Sequence, residues 1–290
     1  MANFLDIYLL EAVVNGILLG GLLALLALGL NLIFGVIDVV WICYAELVMF
    51  GMYAMYYLHV VFGVPYFPAA GVSIIAVAAM GAALHVMVIS PLLGAEPINQ
   101  LLATGGVLFF LQSLATVAFG IDFRNLGIRM PPLEVAGVFV SWPRLLAFFA
   151  ALLGMVLIFL FLSRTFTGTA IRAIAQDRQI MTLMGVDSRR IYLITSALGG
   201  ALAGLAACLL VLQYDVHPFI GLSFGPITFL ICVLGGLGNF LGGFVAAFVF
   251  AEIIAVGGLY LDLEWGYVFV FVFFIVMMFV LPEGLLAGRR

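Results

Sequence analysis

Composition and charge assign this 290-residue chain to the membrane. Hydrophobic residues make up 67% of it and charged residues only 8%, whereas a soluble domain carries roughly 25% charged residues. So few charges exclude a water-soluble fold of this length. The net charge of −4 and the absence of lysine also argue against binding to nucleic acid.

Apolar runs predict an all-α fold, a polytopic transmembrane bundle of about 8–9 segments within one domain of residues 1–290. The runs are too continuous for the alternating pattern of a β-barrel. No basic residue precedes the first run, so we expect a retained span rather than a cleaved signal peptide. The segments lie near 9–34, 39–62, 65–90, 98–120, 143–163, 191–214, 219–237, 240–259 and 265–282. The glycine-rich pair in 219–259 is either two short spans or a re-entrant hairpin.

The arginines indicate which side of the membrane each loop faces. Seven of the ten lie in the loop 164–190 or the C-terminal tail: Arg164, Arg172, Arg178, Arg189, Arg190, Arg289 and Arg290. Because arginine-rich loops stay in the cytoplasm, we expect this loop and the C-terminus there. Nine alternating segments then place the N-terminus outside. The outer side also collects acidic residues, namely Asp6, Glu11, Asp122, Glu134, Asp215, Asp262 and Glu264. Three arginines fall in or beside the outer loop 121–142: Arg124, Arg129 and Arg144.

Apolar residues of the loop 164–190 recur at steps of 3, 7 and 3, which predicts an amphipathic helix. They are Ile171, Ile174, Met181 and Met184. Thr169 is a candidate cap for its start, and Gly185 is expected to end it in the left-handed conformation. Asp187 or Ser188 is then expected to cap the next span. This helix either lies on lipid headgroups or docks a cytoplasmic partner, and the residues leave both interpretations open.

Two carboxylates are predicted to lie inside spans. An ionised carboxylate at the centre of a bilayer costs about 2.5–3.5 kcal/mol, so Glu46 and Glu252 need a partner, water or a proton. Each either lines a solute path or makes a structural hydrogen bond within the bundle. The other polar side chains within spans are Asn31, Thr104, Gln112, Gln213 and Thr228. We expect them to hydrogen-bond between helices, with one or two facing the path.

The remaining reactive residue types predict no metal site and no enzyme. The cysteines lie inside apolar stretches, where buried thiols are expected; they are Cys43, Cys208 and Cys232. The histidines lack a second ligand at helical spacing; they are His59, His85 and His217. Neither GxxxxGK[ST] nor HExxH occurs, so this chain is expected to bind no cofactor. If the process uses ATP, its hydrolysis must take place on another chain.

Four stretches carry a resemblance to a known family. GTAIRAIAQDRQIMTLMGVDSRRIYLITSALGGALAGLAACLL, at 168–210, closely resembles the cytoplasmic loop and following span of permease subunits of branched-chain amino-acid (Liv-type) ABC importers. Three more stretches agree in the same order along the chain: GILLGGLLALLALGLNLIFGVI, VLGGLGNFLGGFVAAFVFAEII and VMMFVLPEGLLAGR. The resemblance implies a permease subunit of the bacterial inner membrane, for which the charge pattern predicts a periplasmic N-terminus and a cytoplasmic C-terminus.

The resemblance also implies partners and site residues. Two cytoplasmic ATPases would carry ATP and Mg²⁺, a second homologous permease would complete the pore, and a periplasmic binding protein would deliver the solute. The loop helix would be the coupling helix that contacts the ATPase, through Arg172, Ala175, Asp177, Arg178 and Gly185. The candidate residues of the translocation path are Asn31, Tyr44, Glu46, Gln112, Thr228 and Glu252.

Two departures from the family pattern concern the solute and the charge pattern. Where the family usually reads something like NFAHGE, this chain reads WICYAE and keeps only Glu46. The resemblance implies branched-chain amino acids as the default solute, and the departure at WICYAE adds urea, short amides or aromatic acids as further options. The loop ISPLLGAEPINQ also lacks the arginines usual at that place in the family.

An autonomous ion-coupled secondary carrier or a channel is the alternative function from another class. Carriers often pair acidic and basic groups at the midplane, whereas the predicted spans here contain Glu46 and Glu252 without an arginine or lysine.

Overall fold

The computed structural model is a bundle of α-helices and describes residues 2–128, 133–135, 138–260, 263–282 and 284–285. Within these ranges six helices are long and apolar enough to cross a membrane. Two further apolar helices are shorter. Four residues of the charge analysis lie outside the described ranges: Arg129, Asp262, Arg289 and Arg290.

The helices follow the predicted segments closely. The first five are α1 (Ala2–Ile37), α2 (Tyr44–Tyr56), α3 (Tyr66–Leu84), α4 (Pro97–Phe119) and α5 (Trp142–Arg164). The loop 164–190 contains α6 (Phe166–Gln176) and α7 (Arg178–Leu183). The last four are α8 (Ser188–Leu210), α9 (Ile220–Gly235), α10 (Phe240–Tyr260) and α11 (Leu263–Val280). Each of the nine predicted segments thus contains a helix, and six of these helices are long and apolar enough to cross a membrane.

Shorter elements extend or join these helices. A π-helical turn, Tyr57–Val61, continues α2, and another, His85–Ile89, followed by Ser90–Leu92, continues α3. Between α4 and α5, strand β1 (Leu133–Val135) pairs antiparallel with β2 (Val138–Val140). We call the end of the bundle with this hairpin the hairpin end, and the end with α6 and α7 the loop end.

Helix α1 forms the centre of the bundle. It packs against α10, α8, α5 and α9, while α8 packs against α3 and α2. Small residues permit the close approach of α3 and α8, because a Cβ on Gly200 would lie 2.7 Å from the carbonyl oxygen of Val77. The cysteines predicted to be buried thiols are buried and free.

Large apolar side chains also cover the outside of the bundle. Val117 on α4, Phe159 on α5 and Phe279 on α11 are 87%, 70% and 86% exposed. Exposing such side chains to water would cost about 25 cal/mol for each Å² of apolar surface, whereas lipid or another apolar protein surface accommodates them. The outer surface therefore fits an integral membrane protein.

The loop 164–190 differs from its prediction in two details. Asp177 is extended and separates two helices where a single helix was expected, because its carboxylate accepts a hydrogen bond from the backbone N–H of Ile180 and so begins α7. The prediction that Thr169 caps the start of the loop helix is wrong. Thr165 caps α6 instead, because only Thr165 stands outside the helix and accepts the N–H of Gly168 through its hydroxyl.

The end of α7 matches its prediction. Gly185 has φ +86°. Its N–H donates to the carbonyl of Thr182, and that of Val186 donates to Met181, each over 3.1 Å. This double closure is the Schellman ending that a left-handed glycine permits. Asp187 then caps α8 by accepting the N–H groups of the two arginines that follow it.

Candidate functional site

An apolar groove of about 510 Å³ lies between α2, α4 and α9, together with the segment that precedes α2. Its size falls in the range typical of small-molecule sites. Four glycines open it, namely Gly105, Gly106, Gly221 and Gly225. A Cβ on Gly105 or Gly106 would meet no atom within 4 Å. The groove therefore has room that larger side chains on α4 would fill.

Two residues predicted for the translocation path, Tyr44 and Thr228, line this groove. Their hydroxyls are engaged elsewhere, since Tyr44 donates to the carbonyl of Gly199 over 3.3 Å and Thr228 to that of Phe224 over 2.7 Å. The groove consequently presents mainly carbon to its contents.

Glu46 lies directly behind the groove wall, on the first turn of α2, and is fully buried. Its Oε1 accepts a hydrogen bond from Nε2 of Gln112 on α4 over 3.1 Å, while its Oε2 has no hydrogen-bond partner. The positive end of α2 offsets part of the cost of a negative charge at this buried place. Gly221 makes room for the carboxylate, because a Cβ there would lie 2.5 Å from Oε1.

The two other predicted path residues lie elsewhere. Asn31 is fully buried and holds the turn between α9 and α10, with its Oδ1 accepting the N–H of Gly238 over 3.3 Å. Glu252 packs on α10 against α1, where a Cβ on Gly16 would lie 2.8 Å from its Oε2. The structure thus gathers four of the six path candidates around α2, α4 and α9 and separates these two from them.

Thr104 shows the predicted role of polar residues inside spans. Its hydroxyl lies 2.9 Å from the carbonyl oxygens of both Val40 and Gln100, so its proton is shared between the segment that precedes α2 and α4 itself. The opening of the groove is therefore held partly by a polar contact.

All five predicted coupling residues are exposed at the loop end. They are Arg172, Ala175, Asp177, Arg178 and Gly185. The guanidinium of Arg178 also stacks over the ring of Tyr192 at 5.1 Å, which joins α7 to α8.

The loop also exposes an apolar tip that the sequence analysis did not identify. Ile180, Leu183 and Met184 are 54%, 88% and 76% exposed, while the predicted stripe is buried only at Ile171 and Ile174. The break at Asp177 rotates α7 relative to α6, which accounts for the loss of a single stripe.

Comparison with known proteins identifies the family. Residues 12–281 match the family described as the permease component of the branched-chain amino acid transport system. The high-affinity branched-chain amino acid transport system permease protein BraD of Pseudomonas aeruginosa is 30% identical, over 97% of this chain and 96% of its own length. The chain belongs to this permease family.

A second relative agrees with this family assignment. The branched-chain amino acid permease LivH of Salmonella typhimurium is 26% identical over 98% of this chain and 96% of its own length. Among solved structures, PsaBC from Streptococcus pneumoniae in complex with Fab is similar with a TM-score of 0.46 and 16% identity, over 97% of this chain and 92% of that one. The family match and the two permease relatives show an integral membrane permease of the ABC-transporter class, and these relatives are transport proteins rather than enzymes.

Proposed function

We propose that this permease is the membrane-spanning subunit of an ATP-driven importer for branched-chain or similar hydrophobic amino acids. The observation that carries the proposal is the loop 164–190, a projecting pair of helices with an apolar tip. Both ends of the loop are fixed, by the Thr165 cap at one side and by Gly185 and Asp187 at the other.

This loop has the features of a coupling element. The exposed side chains of Ile180, Leu183 and Met184 need an apolar partner, and Arg172 and Arg178 supply charge beside them. Because capped ends resist fraying, a push on the loop tip moves α5 and α8 instead of unwinding the loop. A cytoplasmic ATPase docked on the loop would therefore move α5 and α8, the two helices that the loop connects.

Charge supports an orientation with the loop end in the cytoplasm. Five arginines lie at the loop end: Arg164, Arg172, Arg178, Arg189 and Arg190. At the hairpin end the two described arginines are held by neighbours, Arg124 by the hydroxyl of Tyr57 and Arg144 by the amide of Asn15. With the nine crossings expected from the sequence, this asymmetry favours an orientation in the inner membrane with the N-terminus in the periplasm and the C-terminus in the cytoplasm.

The groove is the proposed solute path of this subunit. Its carbon-rich walls suit a hydrophobic side chain better than urea or a short amide. Glu46, whose Oε2 has no hydrogen-bond partner, is the proposed acceptor for the ammonium group of an amino acid. A second homologous permease would close the groove, and a periplasmic binding protein would deliver the solute.

Co-purification tests the coupling role. Gly185→Pro and Arg172→Glu should each abolish recovery of two ATPase chains, which carry ATP and Mg²⁺, with the tagged permease in mild detergent. Gly63→Pro is the matched control, because Gly63 is an exposed glycine with φ +68° in the turn at the opposite end. All three variants should insert into the membrane. Normal ATPase recovery with both loop variants would show that the coupling assignment is wrong.

A further inference from the structure

A second cavity, of about 420 Å³, lies at the hairpin end, away from the groove. It is enclosed by the beginnings of α1, α5 and α11, the end of α10 and the segment after α8. Its polar lining consists of Tyr8, Glu11, Asn15, Arg144, Tyr214 and Tyr267. Leu19, Ile254 and Leu259 supply an apolar side. The proposed solute path and coupling loop contain none of these residues.

The two charged side chains of this cavity are kept apart. The guanidinium of Arg144 donates from Nη1 to Oδ1 of Asn15 over 2.7 Å, and Nδ2 of Asn15 donates to the carbonyl of Glu11 over 2.9 Å. Asn15 thereby fixes the guanidinium on the helix that carries Glu11. Glu11 and Arg144 nevertheless form no ion pair, since in the described part of the chain the salt bridge is that of Arg190 with Asp187.

Both charged groups can therefore form further hydrogen bonds with a ligand in this cavity. A guanidinium offers five N–H donors, and Asn15 accepts from one nitrogen only. It can bind a carboxylate or phosphate through two parallel hydrogen bonds. The carboxylate of Glu11 can accept from an ammonium group on the other side. The hydroxyls of the three lining tyrosines add neutral donors and acceptors, and the apolar wall suits a hydrocarbon group.

We propose that this cavity binds a zwitterion that carries an ammonium group, an oxyanion and an adjoining hydrocarbon chain. Arg144 takes the oxyanion, Glu11 takes the ammonium group, and Leu19 and Ile254 contact the hydrocarbon. A hydrophobic amino acid and the headgroup region of phosphatidylethanolamine share this chemistry. Both are available at the membrane surface, where the hairpin end lies.

Binding experiments on the full-length permease, purified with its partner chains and placed in nanodiscs, test this site and separate the two sources. Native mass spectrometry measures retained phosphatidylethanolamine, with phosphatidylglycerol as the anionic comparison that lacks the ammonium group. Scintillation proximity with radiolabelled leucine, without ATP, measures the amino acid. Arg144→Gln and Glu11→Gln remove one charge each. Arg164→Gln, at the other end of α5, is the matched control.

We expect wild type and Arg164→Gln to bind the same one of the two zwitterions, and to bind it with equal affinity. Each cavity variant should weaken that binding about tenfold or more, the change that about 1.4 kcal/mol of lost interaction produces. Loss of phosphatidylethanolamine identifies a lipid site, and loss of leucine identifies a solute site. Binding that is undetectable for both probes, or unchanged in Arg144→Gln and Glu11→Gln, would overturn the proposal. Retention of phosphatidylglycerol as tightly as phosphatidylethanolamine would refute the role of Glu11. ATPase recovery is read from the same preparations, so failure of this site and failure of the coupling assignment are distinguishable.

Discussion

Filling the groove between α2, α4 and α9 should slow transport without affecting assembly. Gly105→Phe is the sharpest perturbation, because Gly105 lines the groove and a Cβ there would meet no atom within 4 Å. The new ring can therefore enter the groove without displacing the backbone. A solute that uses this path must then push the ring aside.

The size of the effect follows from the volumes. A cavity that accommodates a benzene ring measures about 150 Å³, so one phenylalanine would occupy roughly a third of the 510 Å³ groove. Overpacking of a filled space costs about 1–3 kcal/mol. Added to the barrier for solute passage, such a cost lowers the rate by roughly five- to 150-fold.

The assay is ATP-dependent uptake of radiolabelled leucine into proteoliposomes that contain the complete transporter. Gly71→Phe is the matched control, because Gly71 is an exposed helical glycine on α3 with no atom within 4 Å of an added Cβ and lies outside the groove. Both variants should recover the ATPases in wild-type amounts. Wild-type uptake by Gly105→Phe would refute the reasoning that the groove is part of the path.

Three further predictions concern stability and are read from thermal unfolding in detergent. Gly242→Ala would place a Cβ on α10 against the carbonyl oxygen of Gly235 on α9 and should destabilise the permease by about 1–3 kcal/mol. An unchanged melting temperature would contradict this close contact between the two helices. Gln112→Ala removes the hydrogen bond to Glu46 and should destabilise the permease by about 1–3 kcal/mol. The double variant Gln112→Glu/Glu46→Gln, which exchanges the two side chains, should recover part of this loss. A melting temperature unchanged by Gln112→Ala would disprove the hydrogen bond. Burial lowers the pKa of His217 below its ordinary value of 6.5, so the unfolded chain binds the proton more readily and stability falls as the pH drops through that value. His217→Gln should reduce this loss between about pH 7.5 and about pH 5.5, and an identical pH profile would exclude His217 as its source.

Local features of the fold could be predicted from the sequence. The lengths of apolar runs are a local property, so each predicted segment contains a helix. Gly185 and Asp187 were also predictable, because helix ends depend on a few adjacent residues. The break at Asp177 was not, since an aspartate on a polar helix face and an aspartate that caps a new helix look alike in sequence. The choice of Thr165 over Thr169 likewise depends on where α5 ends.

The candidate site could be predicted only in part. Glu46 stood out as a carboxylate inside a span, but its partner Gln112 lies 66 residues away in the chain. Helices that are apolar on every side give no indication of which face turns inward. For this reason the sequence could not separate Thr228, on the groove, from Asn31 and Glu252, which pack against other helices. The groove itself depends on glycines whose role appears only when α4 and α9 are placed beside α2.

The central claim is that this permease works only as part of an ATP-driven complex. Leucine uptake should therefore be measured in liposomes that contain either the permease alone or the permease with its co-purified partners, each with and without internal ATP. We predict uptake only with the partners and ATP together. Uptake by the permease alone, in liposomes without ATP, would contradict the account and indicate an autonomous carrier or channel.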